Sequence, residues 1–86
     1  MSDSVSDGRD FKAGVYRHSM GRLYLALGLA RDDDSDEVMV VYVRLYERGG
    51  YPMSVRRLSV WNEHVEVNGA KVPRFSYVGA SEPPAD

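Results

Sequence analysis

The sequence predicts an all-β fold, a small and partly open antiparallel barrel of five or six strands. Three observations carry the prediction. Apolar residues alternate with period two through RLYLALGLAR and EVMVVYVRLY. An Asn-Gly pair, Asn68-Gly69, sits between alternating valines, the sequence form of a two-residue hairpin. No stretch sustains the 3.6-residue apolar period of an amphipathic helix. With 86 residues the chain has room for one domain, and its 43% hydrophobic and 28% charged residues sit near globular averages.

The elements follow in order. MSDSVSDGRD (1–10) and GASEPPAD (79–86) offer no apolar face and are expected to be solvated tails, leaving 11–78 as the folded domain. GVYRHSMGRLY (14–24) concentrates two Tyr, a His and two Arg, either a ligand-contacting surface or an ordinary hairpin. In the first long strand Leu23, Leu25, Leu27 and Leu29 share one face, and Tyr24, Ala26, Gly28 and Ala30 the other. In the second, Met39, Val41, Val43 and Leu45 form a fully apolar face, and Val38, Val40, Tyr42, Arg44 and Tyr46 a mixed one. The polar run DDDSDE (32–37) between them suits a hairpin connection, so the two strands are expected to pair antiparallel.

Gly49, Gly50 and Pro52 mark the next turn, and MSVRRL gives a short strand with Val55 inward and Arg56 outward. LSVWNE reads as a tight turn or short 3₁₀ segment because nothing extends its apolar pattern. HVEVNGAKVPRF is a type I′ hairpin whose return strand is an edge or ends at Pro73, which has no N–H to give a ladder. The apolar faces assign Leu25, Leu27, Val41, Val43, Leu45, Val55 and Phe75 to the core. With Val15 inward as well, the same alternation turns Tyr16, His18, Tyr24, Tyr42, Tyr46 and Arg56 outward, onto one aromatic and cationic surface.

Several function classes are disfavoured. The absence of Cys excludes disulfides and Cys-type zinc sites and fits a reducing cytoplasm. The first ten residues hold three Asp and no apolar run, unlike a secretory leader, and no apolar stretch is long enough to span a bilayer. Asp32, Asp34 and Asp36 have the alternate spacing of a calcium loop. However, Glu37 stands where the turn needs Gly, and Val43 where the bidentate Glu belongs. His18 and His64 are the only histidines, so no metal is expected. Ser19 adjoins His18, but neighbours on a strand point apart, and no Gly-rich phosphate loop precedes a helix. No catalytic group, metal or cofactor is therefore expected.

What remains is the aromatic and arginine surface. Guanidinium planes stack on aromatic faces, and such surfaces suit peptides, nucleotides and single-stranded nucleic acid. The net charge of −2 conceals a body, 11–78, with ten basic and eight acidic residues, five of the acids lying in 32–37. A monomeric module for a protein or peptide partner is the leading expectation. A nucleic-acid or nucleotide-binding barrel is the alternative, favoured by the basic body and opposed by the acidic loop, the acidic tails and only two Lys.

GVYRH, the spacing of Gly21 to Tyr24, the run from Tyr24 to Ala30, VVYVRLY, the Val55-Arg56 pair and EVNGAKVPRF occur in an order that resembles domain-of-unknown-function family 1653. The resemblance covers about residues 14–75 and implies a small bacterial domain with an SH3-like barrel. Its matching polar and aromatic positions are Tyr16, His18, Tyr24, Tyr42, Tyr46 and Arg56. The chain departs from the family pattern after Arg31, where Asp32, Asp33, Asp34 and Ser35 replace a His followed by Ser, Glu and Thr. Met20, Ser54 and Arg57 stand where Lys, Trp and Pro are usual. A site built on that His would be absent or altered here.

Overall fold

The two long alternating stretches lie at the centre of a five-stranded antiparallel sheet. The structure, a computed structural model, describes residues 10–81. In chain order the elements are β1 (Gly14–His18), β2 (Leu23–Arg31), β3 (Val38–Arg44), β4 (Met53–Arg57), α1 (Leu58–Trp61), β5 (His64–Val67), β6 (Ala70–Pro73) and β7 (Phe75–Gly79). The main sheet has the order β4-β3-β2-β1-β7, and β5 and β6 form a separate two-stranded sheet. The all-β expectation holds, with seven strands rather than five or six and no closed barrel. Of the tails expected at 1–10 and 79–86, residues 1–9 and 82–86 lie outside the described residues, and β7 extends to Gly79, one residue past the expected body. Among the described residues no helix is long and apolar enough to cross a membrane.

The local chemistry accounts for the connections. Residues 32–37 close the β2–β3 hairpin through an Asp32 carboxylate that accepts the Asp34 and Ser35 backbone N–H groups at 2.8 and 3.0 Å. Arg31 adds ion pairs to Asp33 and Asp36 at 3.2 and 2.9 Å, on an exposed edge where such pairs contribute little. The β5–β6 hairpin turns through Asn68 and Gly69, both at positive φ (52° and 83°), as a type I′ turn requires. It is tied down where the Arg74 N–H donates to the Glu63 carbonyl and the Ser19 N–H to the Arg74 carbonyl, at 2.8 and 2.9 Å. Gly14 (φ 142°) lies where β1 meets β7, and a Cβ there would stand 2.6 Å from the Gly79 carbonyl oxygen, so no larger residue fits unshifted. LSVWNE holds a single α-helical turn, and its Leu58 and Trp61 are buried.

The largest correction concerns the faces. The buried set is Val15, Tyr16, Ala26, Val40, Tyr42, Leu58, Trp61 and Phe75, so of the seven expected core residues only Phe75 is fully buried. Leu27 and Val55 are 49% and 59% exposed, and Leu25, Val41, Val43 and Leu45 are half-buried. The aromatic face is the inner one. Its rings make one continuous cluster: Trp61 stacks on Phe75 at 3.8 Å between centroids and meets Tyr16 and Tyr42 edge-on at 5.1 and 5.0 Å. Phe11 stacks on Tyr16 at 5.8 Å. A ring removes about 150–250 Å² from water, more than a Val or Leu, so the face that collects rings and the one Trp gains most by being covered. A bulge adds to the misreading: Ala26 pairs with Tyr42 but Gly28 with Val41, so Leu27 is the extra residue. Beyond it the parity reverses, and Leu29 packs against the aromatic cluster instead of joining Leu25.

Candidate functional site

The sheet register brings the expected site residues together. Tyr16 pairs with Tyr24, His18 with Phe75, Ala26 with Tyr42, Tyr42 with Ser54 and Val40 with Arg56, which places Tyr16, His18, Tyr24, Tyr42 and Arg56 on one face. Tyr46, just past β3, joins them through its hydroxyl, 2.7 Å from that of Tyr24. The expected convergence is real, but the face is not open throughout. Tyr16 and Tyr42 are 8% and 6% exposed and belong to the core. The Tyr16 hydroxyl donates to the Lys12 carbonyl at 2.7 Å, and burial raises its pKa. His18, Tyr24, Tyr46 and Arg56 are half-buried at the rim.

His18 is engaged in packing. Its ring stands edge-on to Phe75 and Tyr24, at 5.0 and 6.3 Å. Its Nδ1 accepts the Met20 backbone N–H at 3.0 Å, which assigns the lone pair to Nδ1 in the neutral ring. Burial, then the charges of Arg56 and Arg74, lower its pKa below the ordinary 6.5, so the neutral ring is the native form at neutral pH.

Where β3 and β4 leave the aromatic cluster, the rim opens into a cleft of about 220 Å³ lined by Tyr24, Tyr42, Arg44, Tyr46, Arg48, Ser54 and Arg56. Arg56 donates from Nε to the Tyr42 hydroxyl at 3.3 Å and lies 5.7 Å from the Phe75 ring centre. The Arg44 guanidinium donates to the carbonyls of Arg48, Gly49, Gly50 and Tyr51, at 2.5 to 3.1 Å. Those bonds hold the loop after β3 and fix where Arg48 starts. Arg22 covers the outer face of Tyr46 at 4.4 Å. No carboxylate of the described residues forms an ion pair with Arg44, Arg48 or Arg56.

The paired hydroxyls are electrically unequal. Burial first, then the Tyr46 hydrogen bond, pushes the Tyr24 pKa up to about 12. The Tyr24 hydrogen bond first, then Arg48 and Arg22, lowers that of Tyr46. The two hydroxyls share one hydrogen bond, and with Arg48 and Arg22 beside it the phenol oxygen of Tyr46 lies in a field that favours negative charge.

The sequence reading missed Arg44, Arg48 and Arg22. Arg44 was findable, because it lies two residues from Tyr42 and so shares its face. Arg48 was not, because only the Arg44 bonds to loop carbonyls bring it back to the sheet. Missed also was Trp61, the lid of the aromatic face. Among the described residues no group of three or more His, Asp or Glu is placed to hold a metal ion, and the acidic run is spent on its own turn.

Comparisons with known proteins agree with this architecture. A family model described as protein of unknown function (DUF1653) matches residues 14–77. The crystal structure of a DUF1653 protein from Bordetella bronchiseptica is similar at 59% identity and a TM-score of 0.83, over 87% of this chain and 96% of that one. No curated protein matches the chain.

Proposed function

The chain belongs to the DUF1653 family, and on the strength of its rim cleft we propose that it is a non-catalytic cytoplasmic module, monomeric, that binds a protein or peptide at the arginine and tyrosine end of the sheet. The observation that carries this reading is the position of the cleft beside an open edge. Among the described residues β4 pairs only with β3, so the outer backbone groups of Met53–Arg57 have no strand partner there. Ser54 and Arg56 line the cleft from that same strand, while Met53 and Val55 alternate to the other face at 55% and 59% exposure. An extended peptide added along β4 would gain backbone hydrogen bonds and present alternate side chains to a polar and an apolar surface. The non-catalytic part rests on His18, whose ring is packed and whose Nδ1 is already bonded.

The test is peptide selection against the purified full chain, followed by ¹⁵N NMR mapping of the selected peptides. The expected result is amide shifts confined to β4 and residues 44–51, with little dependence on salt. Peptides that map to the β5–β6 hairpin would overturn the placement. Binding of single-stranded oligonucleotides with a steep salt dependence would replace the reading with nucleic-acid recognition.

A further inference from the structure

We propose that the rim cleft is a receptor for one acidic group, a carboxylate or a phosphate monoester, carried on an extended partner; this rests on the binding reading above and specifies what the site recognises. Arg44, Arg48 and Arg56 line one cleft, and among the described residues no carboxylate forms an ion pair with any of them. Glu47, the nearest acid in sequence, lines the adjoining hollow with Arg22, Tyr46 and Arg48, and forms no ion pair with either arginine. Uncompensated like charges repel, and a bound anion relieves that repulsion. The remaining polar lining is hydroxyl, from Tyr24, Tyr42, Tyr46 and Ser54; one proton of the Tyr24–Tyr46 pair is used between them, and the other hydroxyl protons can be turned toward an anion.

The guanidinium groups have separate tasks. Arg44 is committed to four carbonyls of its loop and supplies field and position rather than a direct bond. Among the described residues Arg56 bonds through Nε alone, to Tyr42, which leaves its two terminal nitrogens for an oxygen pair, the geometry in which Arg holds carboxylate and phosphate. Arg48 is exposed and lines the cleft beside Tyr46. The cleft, about 220 Å³, is smaller than the ~300–1,000 Å³ of pockets that enclose a whole small molecule. It suits an acidic group on a short stem, such as a side chain from a peptide on β4.

The experiment titrates the ¹⁵N-labelled full chain, at constant ionic strength, with inorganic phosphate, phosphoserine and glutarate in separate arms. Saturable shifts at Arg56, Ser54 and Tyr46 are expected in at least one arm, and the arm that saturates at lowest concentration identifies the acidic group. Arg56→Ala should weaken that binding about tenfold or more, the loss of one charge-assisted pair. Arg48→Gln, at an exposed position, should weaken it less while the amide spectrum stays folded. Arg17→Ala, exposed on β1 and on the opposite face, should leave it unchanged. Linear, unsaturable shifts in all three arms, or equal affinity in Arg48→Gln and Arg56→Ala, would overturn the proposal. The two readings fail separately: selected peptides that bind Arg56→Ala as well as wild type refute the acidic receptor and keep the peptide module. Saturable anion binding with no selectable peptide keeps the receptor and refutes the module.

Discussion

The five-stranded sheet has two apolar faces that meet different fates. One carries Tyr16, Ala26, Val40, Tyr42 and Phe75 and lies under Trp61 and Leu58. The other carries Leu25, Leu27, Val41, Val43, Met53 and Val55, and three of these are about half exposed or more. Of the buried side chains described, Val15 alone falls outside the aromatic cluster. The difference lies in the cover. The chain leaving β4 turns at once through Leu58–Trp61 and lays its one Trp on the aromatic side, and Phe11 closes over Tyr16 from the other end. Alternation sorts a strand into two sets; a separate segment decides which set is inside.

The sharpest way to break this comparison is to cut matching residues from each face. Trp61→Ala should cost about 3–5 kcal/mol, enough to unfold most of a domain this small, because its ring is 2% exposed and touches four others. Leu27→Ala, at a half-exposed bulge, should cost about 1 kcal/mol or less in the same urea denaturation series. Equal losses would mean that both faces are core. Gly14→Ala comes next, at about 1–3 kcal/mol, since it forces a Cβ against the Gly79 carbonyl at a φ unfavourable to other residues. An unchanged melting temperature would show that β1 and β7 can separate there without loss.

A pH measurement sharpens the comparison at the rim. His18 has a lowered pKa in the folded state, so its contribution is fully present above 6.5 and is lost as pH falls through the lower folded value. Protonation would add a charge between Arg56 and Arg74 and take the Nδ1 lone pair from the Met20 N–H. Melting temperature should therefore decline below about pH 6.5 in the wild type, and decline less in His18→Gln. Parallel declines in the two proteins would place the acid sensitivity elsewhere.

How much of this was legible in the sequence depends on range. Strand pairing was legible because its signals are local: alternation in β2 and β3, the Asp-rich turn, and Asn68-Gly69. The convergence of Tyr16, His18, Tyr24, Tyr42 and Arg56 on one face followed from parity alone, and the register bears it out. The choice of inner face was not legible. The leucines and valines look more core-like than tyrosines, and the bulge at Leu27 that separates Leu29 from them leaves no unambiguous mark. Nor was the rim cleft, because Arg48 reaches it through a loop held by backbone carbonyls, which no residue pattern encodes. The sequence pointed to an aromatic surface that is mostly wall, with only its rim open.

The most direct test of that account uses the single tryptophan, Trp61, as a reporter of the inner face. Its fluorescence can be measured in the native full chain, with acrylamide as quencher, and again through a denaturant transition. The account predicts blue-shifted native emission that acrylamide barely quenches, turning to red-shifted, quenchable emission in one cooperative step with the loss of β structure. Native emission that is already water-like and freely quenched would contradict it, and would put the leucine and valine face back inside.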